Sequence, residues 1–179
     1  MGSTRGRRPV FHIDIRAATW SEWCATPLNM PNHYGRSINL ENAKKAVALA
    51  LAEAHKNNWT MAAAIVDGAA NLVYFEKMDN TQIGSVNVAI EKARSAALFK
   101  RPTKAFEDAL ASGGGGLVVL GVHGAVPLEG GIPLLIDGEI VGAIEISGET
   151  SQQDGQCAKV AADGLKVSST RQESPTGRS

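Results

Sequence analysis

The dipeptide Asp137-Gly138, set between two apolar runs, constrains the fold of this chain more than any other feature. An Asp-Gly pair in that setting favours a tight hairpin turn, because the centre of such a turn needs positive φ. A second pair, Asp67-Gly68, also separates two apolar runs. The sequence therefore predicts two β-hairpins, one over residues 60–77 and one over residues 130–148.

Helical periodicity surrounds these hairpins. Apolar residues recur at three- and four-residue steps over 40–54 and again over 82–100, a pattern typical of amphipathic helices. Pro102 ends the second helix and suits the first turn of a third. Ser151 with Asp154 resembles a capping box that opens a final helix. Since hairpins imply antiparallel neighbours, the sequence predicts an α+β domain with a single antiparallel sheet covered by helices.

Four consecutive glycines, Gly113 to Gly116, suggest a phosphate-binding loop at first sight. Such a loop either follows a strand and opens a helix or carries a following Gly-Lys-Ser/Thr. Here the glycines follow a predicted helix and precede a short apolar run, 117–120. We therefore expect a mobile connection from a helix to a strand at 117–120.

Composition divides the chain into three parts. Residues 1–37 hold two of the three tryptophans and three of the seven prolines, without helical periodicity. We interpret them as an extended arm that packs on the domain or on a neighbouring subunit, with a short extra strand at 10–15 as the alternative. Residues 38–167 form the folded domain, and the polar residues 168–179 are expected to be disordered.

Charge and composition argue against several classes of partner. The formal net charge is zero, so no overall field attracts nucleic acid or an anionic membrane surface. No run approaches the ~20 apolar residues that span a bilayer, and no apolar stretch follows the N-terminal arginines as in a secretory signal. Cys24 and Cys157 lie far apart without metal-type spacing, which fits a reducing compartment. We expect a cytoplasmic protein.

Glu145 is the chemical anomaly of the second hairpin, because it interrupts an apolar strand. Val141, Ala143 and Ser147 share its face of that strand. A buried carboxylate is costly unless it is paired, protonated or bound to a ligand. Two interpretations stay open: an exposed or subunit-interface position with an arginine partner, or a pocket carboxylate that acts as a general acid or base.

The order of motifs along the chain resembles that of one protein family. The matching segments are Asn58-Trp59, Ala64-Ile65-Val66-Asp67, Phe75-Glu76-Lys77-Met78-Asp79, Glu91-Lys92-Ala93-Arg94-Ser95-Ala96-Ala97, Arg101-Pro102-Thr103, Gly130-Gly131-Ile132-Pro133-Leu134, Gly142, Ser147-Gly148 and Gln153-Asp154. They span residues 39–167 in unbroken order, and the chain is identified as a member of the GlcG/HbpS-like family, also called the haem-degrading domain.

This resemblance implies a profilin-like α+β fold and homo-oligomers, often dimers or larger rings of dimers. It also implies, for some members, binding of haem or iron. The chain departs from the family where the closing strand usually reads Gly-Val-Ser-Gly, because it has Glu145-Ile146-Ser147-Gly148 there. The arm before residue 38 is a second departure.

The resemblance and the residue chemistry together select a candidate site. Lys92 matches a family position suspected of facing the pocket, with a surface lysine or an ion pair as the alternative. His123 lies in a glycine-flanked loop and could act as a base, a proton shuttle or an axial haem ligand. The alternative is an exposed loop histidine without a function. The residues predicted to bind ligand are Lys92, Glu91, Thr103, Gly130, Gly131 and Pro133.

Other polar residues are weaker candidates. His12 and His33 are possible haem ligands in the arm, and His55 suits a cation near a helix C-terminus. No ligand spacing supports a metal site built from Glu76, Asp79 and Glu91, and we predict none.

Two functions from different classes follow. The first is a homo-oligomeric protein that holds a small apolar-anionic ligand, with haem as a candidate, between residues 130–133 and the helix bearing Lys92. The second is an enzyme acting on a small organic molecule in a catabolic or biosynthetic pathway. In that enzyme Glu145 and His123 transfer protons, and backbone N–H groups near Gly130-Gly131 stabilise a developing anion.

Overall fold

The computed structural model of the protein describes residues 33–169, with side chains described up to residue 165. Most of the predicted arm, including the alternative strand at 10–15, His12 and Cys24, lies outside the described residues. The elements in chain order are α1 (Leu40–Lys56), β1 (Ala62–Asp67), β2 (Leu72–Lys77), α2 (Ser85–Phe99), α3 (Lys104–Ala111), a 3₁₀ helix (Gly114–Gly121), β3 (Gly131–Ile136), β4 (Glu139–Ser147) and α4 (Ser151–Ser169).

The four strands form one antiparallel sheet in the order β2-β1-β4-β3. Both predicted hairpins are present, since β1 pairs with β2 and β3 pairs with β4. At the second turn Asp137 and Gly138 both have positive φ, 51° and 79°, as a tight hairpin turn requires. The long-range pair is β1 with β4, which sets Ala64 opposite Glu145. The predicted α+β fold, a single antiparallel sheet covered by helices, is confirmed.

Helices cover both faces of this sheet. α1 and α4 pack against one face in a core that includes Ile144 and Ile146. α2 packs against the other face mainly through alanines, in a cluster that includes Ala143 of β4. Because both faces are buried, β1 and β4 have continuous apolar sequences instead of alternating ones. Since the contacts between α2 and the sheet are made by small side chains, the helix lies close to the strand that carries Glu145.

The segment before α1 lies along the free edge of β4. β1 ends opposite Gly142, and beyond that point Gly35 N–H donates to the carbonyl of Ile140 at 2.9 Å. The Tyr34 hydroxyl donates to the carbonyl of Ala97 near the end of α2 at 2.8 Å. The last residues before α1 are therefore fixed at the end of the sheet that holds the β3–β4 turn.

The predicted strand at 117–120 is wrong, because these residues belong to the 3₁₀ helix. A short apolar run has the length of either a strand or a helical turn, and its composition does not separate the two. Of these four residues Val119 is buried, while Leu117, Val118 and Leu120 are exposed. The glycines therefore lead into an apolar helical turn on the surface and not into the sheet.

α4 begins with a cap different from the predicted one. The Thr150 N–H donates to Oε1 of Gln153 at 3.1 Å, so the contact between cap and first turn joins these two residues. Asp154 does not pair with Ser151, since its Oδ1 accepts from the Glu149 N–H at 3.2 Å. α4 continues to Ser169, which lies inside the segment expected to be disordered.

Candidate functional site

Lys92 is buried between α2 and the sheet, with 1% of its surface exposed. Its Nζ donates to the carbonyl of Glu129 at 2.8 Å, to the carbonyl of Ile146 at 3.1 Å and to Oδ2 of Asp154 at 3.1 Å. It also contacts Oε1 of Glu145. An ammonium group has three N–H donors, and these contacts place four oxygens around them. We call Lys92, Glu145 and Asp154 the charge cluster.

Glu145 is the most deeply buried member of the charge cluster and has no solvent-exposed surface. Although Oε1 contacts Lys92, neither carboxylate oxygen has a well-directed hydrogen bond among the described residues. Burial raises the pKa of Glu145 well above its ordinary value, and the Lys92 ammonium acts in the opposite direction. Burial likewise raises the pKa of Asp154. The cluster thus places two carboxyl groups that resist ionisation around one cation.

Gly130 and Gly131 lie directly against the charge cluster. A Cβ on Gly130 would lie 2.6 Å from both Lys92 Nζ and Glu145 Oε1. A Cβ on Gly131 would lie 2.6 Å from the Lys92 carbonyl oxygen. At these two residues the segment and α2 are in direct contact, so glycine is required there for close packing. A ligand between this segment and α2 stays a prediction.

Thr103 holds the same segment from the other side. Its buried hydroxyl accepts from the Gly131 N–H at 3.0 Å, and its own N–H donates to the Gly131 carbonyl at 2.9 Å. Thr103 precedes α3 without a side-chain capping bond, so its hydroxyl supports β3 and not the helix. The Gly131 N–H, expected to stabilise an anion, is already used in this pair.

A cavity of about 280 Å³ lies on the outer side of Lys92, where α2 and α4 both begin. Its lining includes Ser85 and Val88 from α2, Ser151 and Asp154 from α4, and Leu128 from the loop before β3. Lys92 lines it as well, whereas Glu145 does not. The cavity therefore meets the charge cluster through Lys92 and Asp154.

The structure separates the other predicted site residues from this cavity. Glu91 is exposed and pairs with Arg94 at 2.8 Å, and Pro133 is buried in β3 opposite Ala143. His123 is exposed and does not line the cavity. The acid–base hypothesis requires Glu145 and His123 to face the same substrate. Neither of them lines this cavity.

Sequence reasoning identified only Lys92 among the lining residues and missed, among others, Ser85, Ser151 and Asp154. Ser151 was interpreted only as part of a helix cap, Asp154 as part of that cap and of a family motif, and Ser85 carries no sequence signal. Their common feature is structural, because they meet only when α2 and α4 start at the same end of the sheet.

The remaining chemistry is sparse in the described part of the chain. No group of three His, Cys, Asp or Glu side chains there is arranged to hold a metal ion. Nor does any helix there have the length and apolarity needed to cross a membrane. Cys157 is buried, and burial raises its thiol pKa to about 12, so this thiol is a poor nucleophile.

Comparison with known proteins gives one family match and several relatives. The family model described as "Haem degrading protein HbpS-like" matches residues 38–163. Protein GlcG of Escherichia coli K12 is 37% identical over 110 residues, which cover 62% of this chain and 81% of GlcG.

Two solved structures share the fold. A double mutant of HbpS from Streptomyces reticuli is 27% identical with a TM-score of 0.66, covering 73% of this chain and 88% of that one. The complex of PduOC with haem is 23% identical with a TM-score of 0.64, covering 71% of this chain and 94% of that one. The second likeness shows the fold alone.

Proposed function

This chain belongs to the HbpS-like family, and on that premise we propose that it is a homo-oligomeric protein that binds a small ligand, with haem as the first candidate. The family is described as haem-degrading, and PduOC forms a complex with haem. Both statements concern other proteins. The proposal for this chain therefore depends on a surface of its own that suits a porphyrin.

The cavity beside Lys92 is not that surface. Its volume of about 280 Å³ lies just below the range of roughly 300–1,000 Å³ that is usual for ligand pockets. A flat macrocycle needs a broad apolar face and an axial ligand for its iron, and this cavity contains no histidine among its lining residues. Haem would have to bind elsewhere on the chain.

The observation that carries the proposal is the exposed apolar 3₁₀ helix followed by a histidine. Leu117, Val118 and Leu120 are 53%, 47% and 69% exposed, and His123 follows this helix and is exposed as well. Exposed apolar patches on soluble proteins commonly mark binding surfaces. An apolar face with a neighbouring imidazole is the chemistry that haem requires, since the ring packs on the side chains and the histidine binds iron.

Self-association is supported by further exposed apolar side chains outside this surface. Ile83, just before α2, is 89% exposed, and Leu98, near the end of α2, is 51% exposed. Contact between copies of the chain would remove such surface from water.

The second candidate function, acid–base chemistry on a small organic molecule, is favoured by the charge cluster alone. Asp154 lines the cavity, and burial raises its pKa above the ordinary aspartate value, so it holds a proton more readily than an exposed aspartate does. In this version Asp154 and Lys92 face the substrate, and Glu145 acts only through Lys92. His123 has no part in it.

The haem proposal is tested by titrating haem into the protein. We expect saturable binding with a shifted Soret band, and His123→Ala should weaken it more than tenfold because the iron loses its axial ligand. His55→Ala is the matched control, since His55 is also exposed but lies in the last turn of α1. Absence of any Soret shift, or equal loss in both variants, would contradict this proposal.

A further inference from the structure

The cavity beside Lys92 contains a hydroxyl group that has no partner among residues 33–165. Ser85 lines the cavity and is 1% exposed, and its Oγ has no hydrogen bond among the described residues. Buried hydroxyls in native proteins nearly always have a partner. An unpartnered one that borders a cavity therefore points to a ligand atom that accepts a hydrogen bond from it.

Two helix N-termini lie at the same cavity. α2 begins at Ser85 with neither a side-chain cap nor an acidic residue in its first turn. At α4, Thr150 donates its hydroxyl to Oε1 of Gln153 at 2.8 Å instead of accepting from a helix amide. The first N–H groups of α4, which include that of the cavity-lining Ser151, have no intrahelical partner. Helix N-termini favour an anion through their partial positive charge.

The charged side chains limit how negative this anion can be. Lys92 is the cation in the cavity wall, but Asp154 already pairs with it. Glu149 also lines the cavity, and its Oε1 accepts from the Thr60 N–H at 3.3 Å. A dianion such as phosphate would be repelled by these carboxylates, whereas a single negative charge is balanced by the two helix ends.

Part of the cavity lining is apolar. Val88 lies one turn into α2, and Leu128, 45% exposed, comes from the loop before β3. Together they offer a short hydrocarbon group a place out of water. The cavity lining thus offers both hydrogen-bond donors and apolar surface.

From this arrangement we infer that the cavity is a binding site for a short-chain monocarboxylate. The carboxylate accepts from the Ser85 hydroxyl and the first amides of α4, and the hydrocarbon part lies against Val88 and Leu128. This site is separate from the surface at His123 and does not depend on haem binding.

The test uses propionate as the probe on the haem-free protein at constant ionic strength. We expect a saturable rise in melting temperature with propionate concentration and a matching isotherm by titration calorimetry. Ser85→Ala should weaken propionate binding about tenfold or more, since a hydrogen bond to a charged group is lost. Its melting temperature without ligand should not fall, because Ser85 Oγ makes no hydrogen bond in the part of the chain that the structure describes.

Ser95→Ala is the matched control on the same helix. Ser95 is fully buried, but its Oγ accepts from the Val126 N–H at 3.1 Å and does not line the cavity. This variant should lower the melting temperature and leave the affinity for propionate unchanged. Glu149→Gln should strengthen propionate binding several-fold, because one repulsive charge is removed while an acceptor for Thr60 is kept.

Two further probes define the ligand class. Propionamide, the neutral analogue, should not bind measurably, and inorganic phosphate should bind more weakly than propionate. The inference is overturned if propionate gives no saturable effect, if Ser85→Ala binds it as well as the wild type does, or if propionamide or phosphate binds equally well.

Discussion

Replacing Lys92 by methionine is expected to lower the free energy of unfolding by about 3–5 kcal/mol at pH 7. Methionine keeps most of the buried stem, so the effect comes from the missing ammonium group. The carboxyl groups of Glu145 and Asp154 and the carbonyls of Glu129 and Ile146 would all lose their cationic partner. The measurement is urea unfolding followed by circular dichroism. The total free energy of unfolding of a native protein is roughly 5–15 kcal/mol, so a loss of this size is a large part of it.

The size of this loss should depend on pH. Burial raises the pKa values of Glu145 and Asp154 in the folded state above those in the unfolded chain. Their contribution to stability is therefore fully present below the unfolded pKa, near 4, and is lost as pH rises through the folded pKa. Without Lys92 the folded pKa values rise further. The difference in free energy of unfolding between the wild type and Lys92→Met should be larger at pH 8 than at pH 5. The same difference at the two pH values would contradict this account.

Two further variants test whether the loss of stability comes from the unpaired buried carboxyl groups. Lys92→Met combined with Glu145→Leu should recover part of the lost stability, because the buried carboxyl leaves together with its cation. Lys104→Met is the control for simple charge removal, since Lys104 forms only surface pairs within α3. That variant should leave the urea midpoint almost unchanged.

The second large effect is expected at Gly130, where alanine should destabilise the fold by about 2–6 kcal/mol. Its φ of +131° is one that side chains rarely adopt, and such backbone strain costs about 1–3 kcal/mol. The added Cβ would also lie 2.6 Å from Lys92 Nζ and Glu145 Oε1, and overpacking of this kind costs about 1–3 kcal/mol more. Thermal and urea unfolding both measure the combined cost of the backbone strain and the overpacking.

Two other glycines separate these causes. Gly138 has a φ of +79° but no atom within 4 Å of its Cβ position, so Gly138→Ala should show only the backbone strain. Gly84 has an ordinary φ of −60° and equally open surroundings, so Gly84→Ala should be neutral or slightly stabilising. If Gly130→Ala proves no worse than Gly138→Ala, contact with the charge cluster is not what selects glycine there.

The sequence was most informative where the determining interactions are local. The two Asp-Gly turns, the apolar runs beside them and the helical periodicity of α1 and α2 each depend on residues close in sequence. Together they were sufficient for the α+β prediction. The error at 117–120 arose because a short apolar run fits two structures, and here exposure on the surface was not visible in the pattern.

The candidate site depends instead on contacts that are distant in sequence. Lys92, Glu145 and Asp154 meet only because α2 packs closely on β4 and α4 begins beside it, which no spacing along the chain reveals. The sequence analysis named Glu145 and Lys92, two of the three residues of the charge cluster, as separate candidates. It did not predict that they are in contact. Ser85 was missed because its only distinction is the lack of a partner.

The attachment of residues 33–38 to β4 has a practical consequence for measurements on this protein. The chain leaves the described fold beside Ile140, whereas the cavity lies beside Ser147 at the other end of the same strand. Seven residues of strand separate these points by about 23 Å. A label at residue 33 would thus lie at the opposite end of β4 from the cavity.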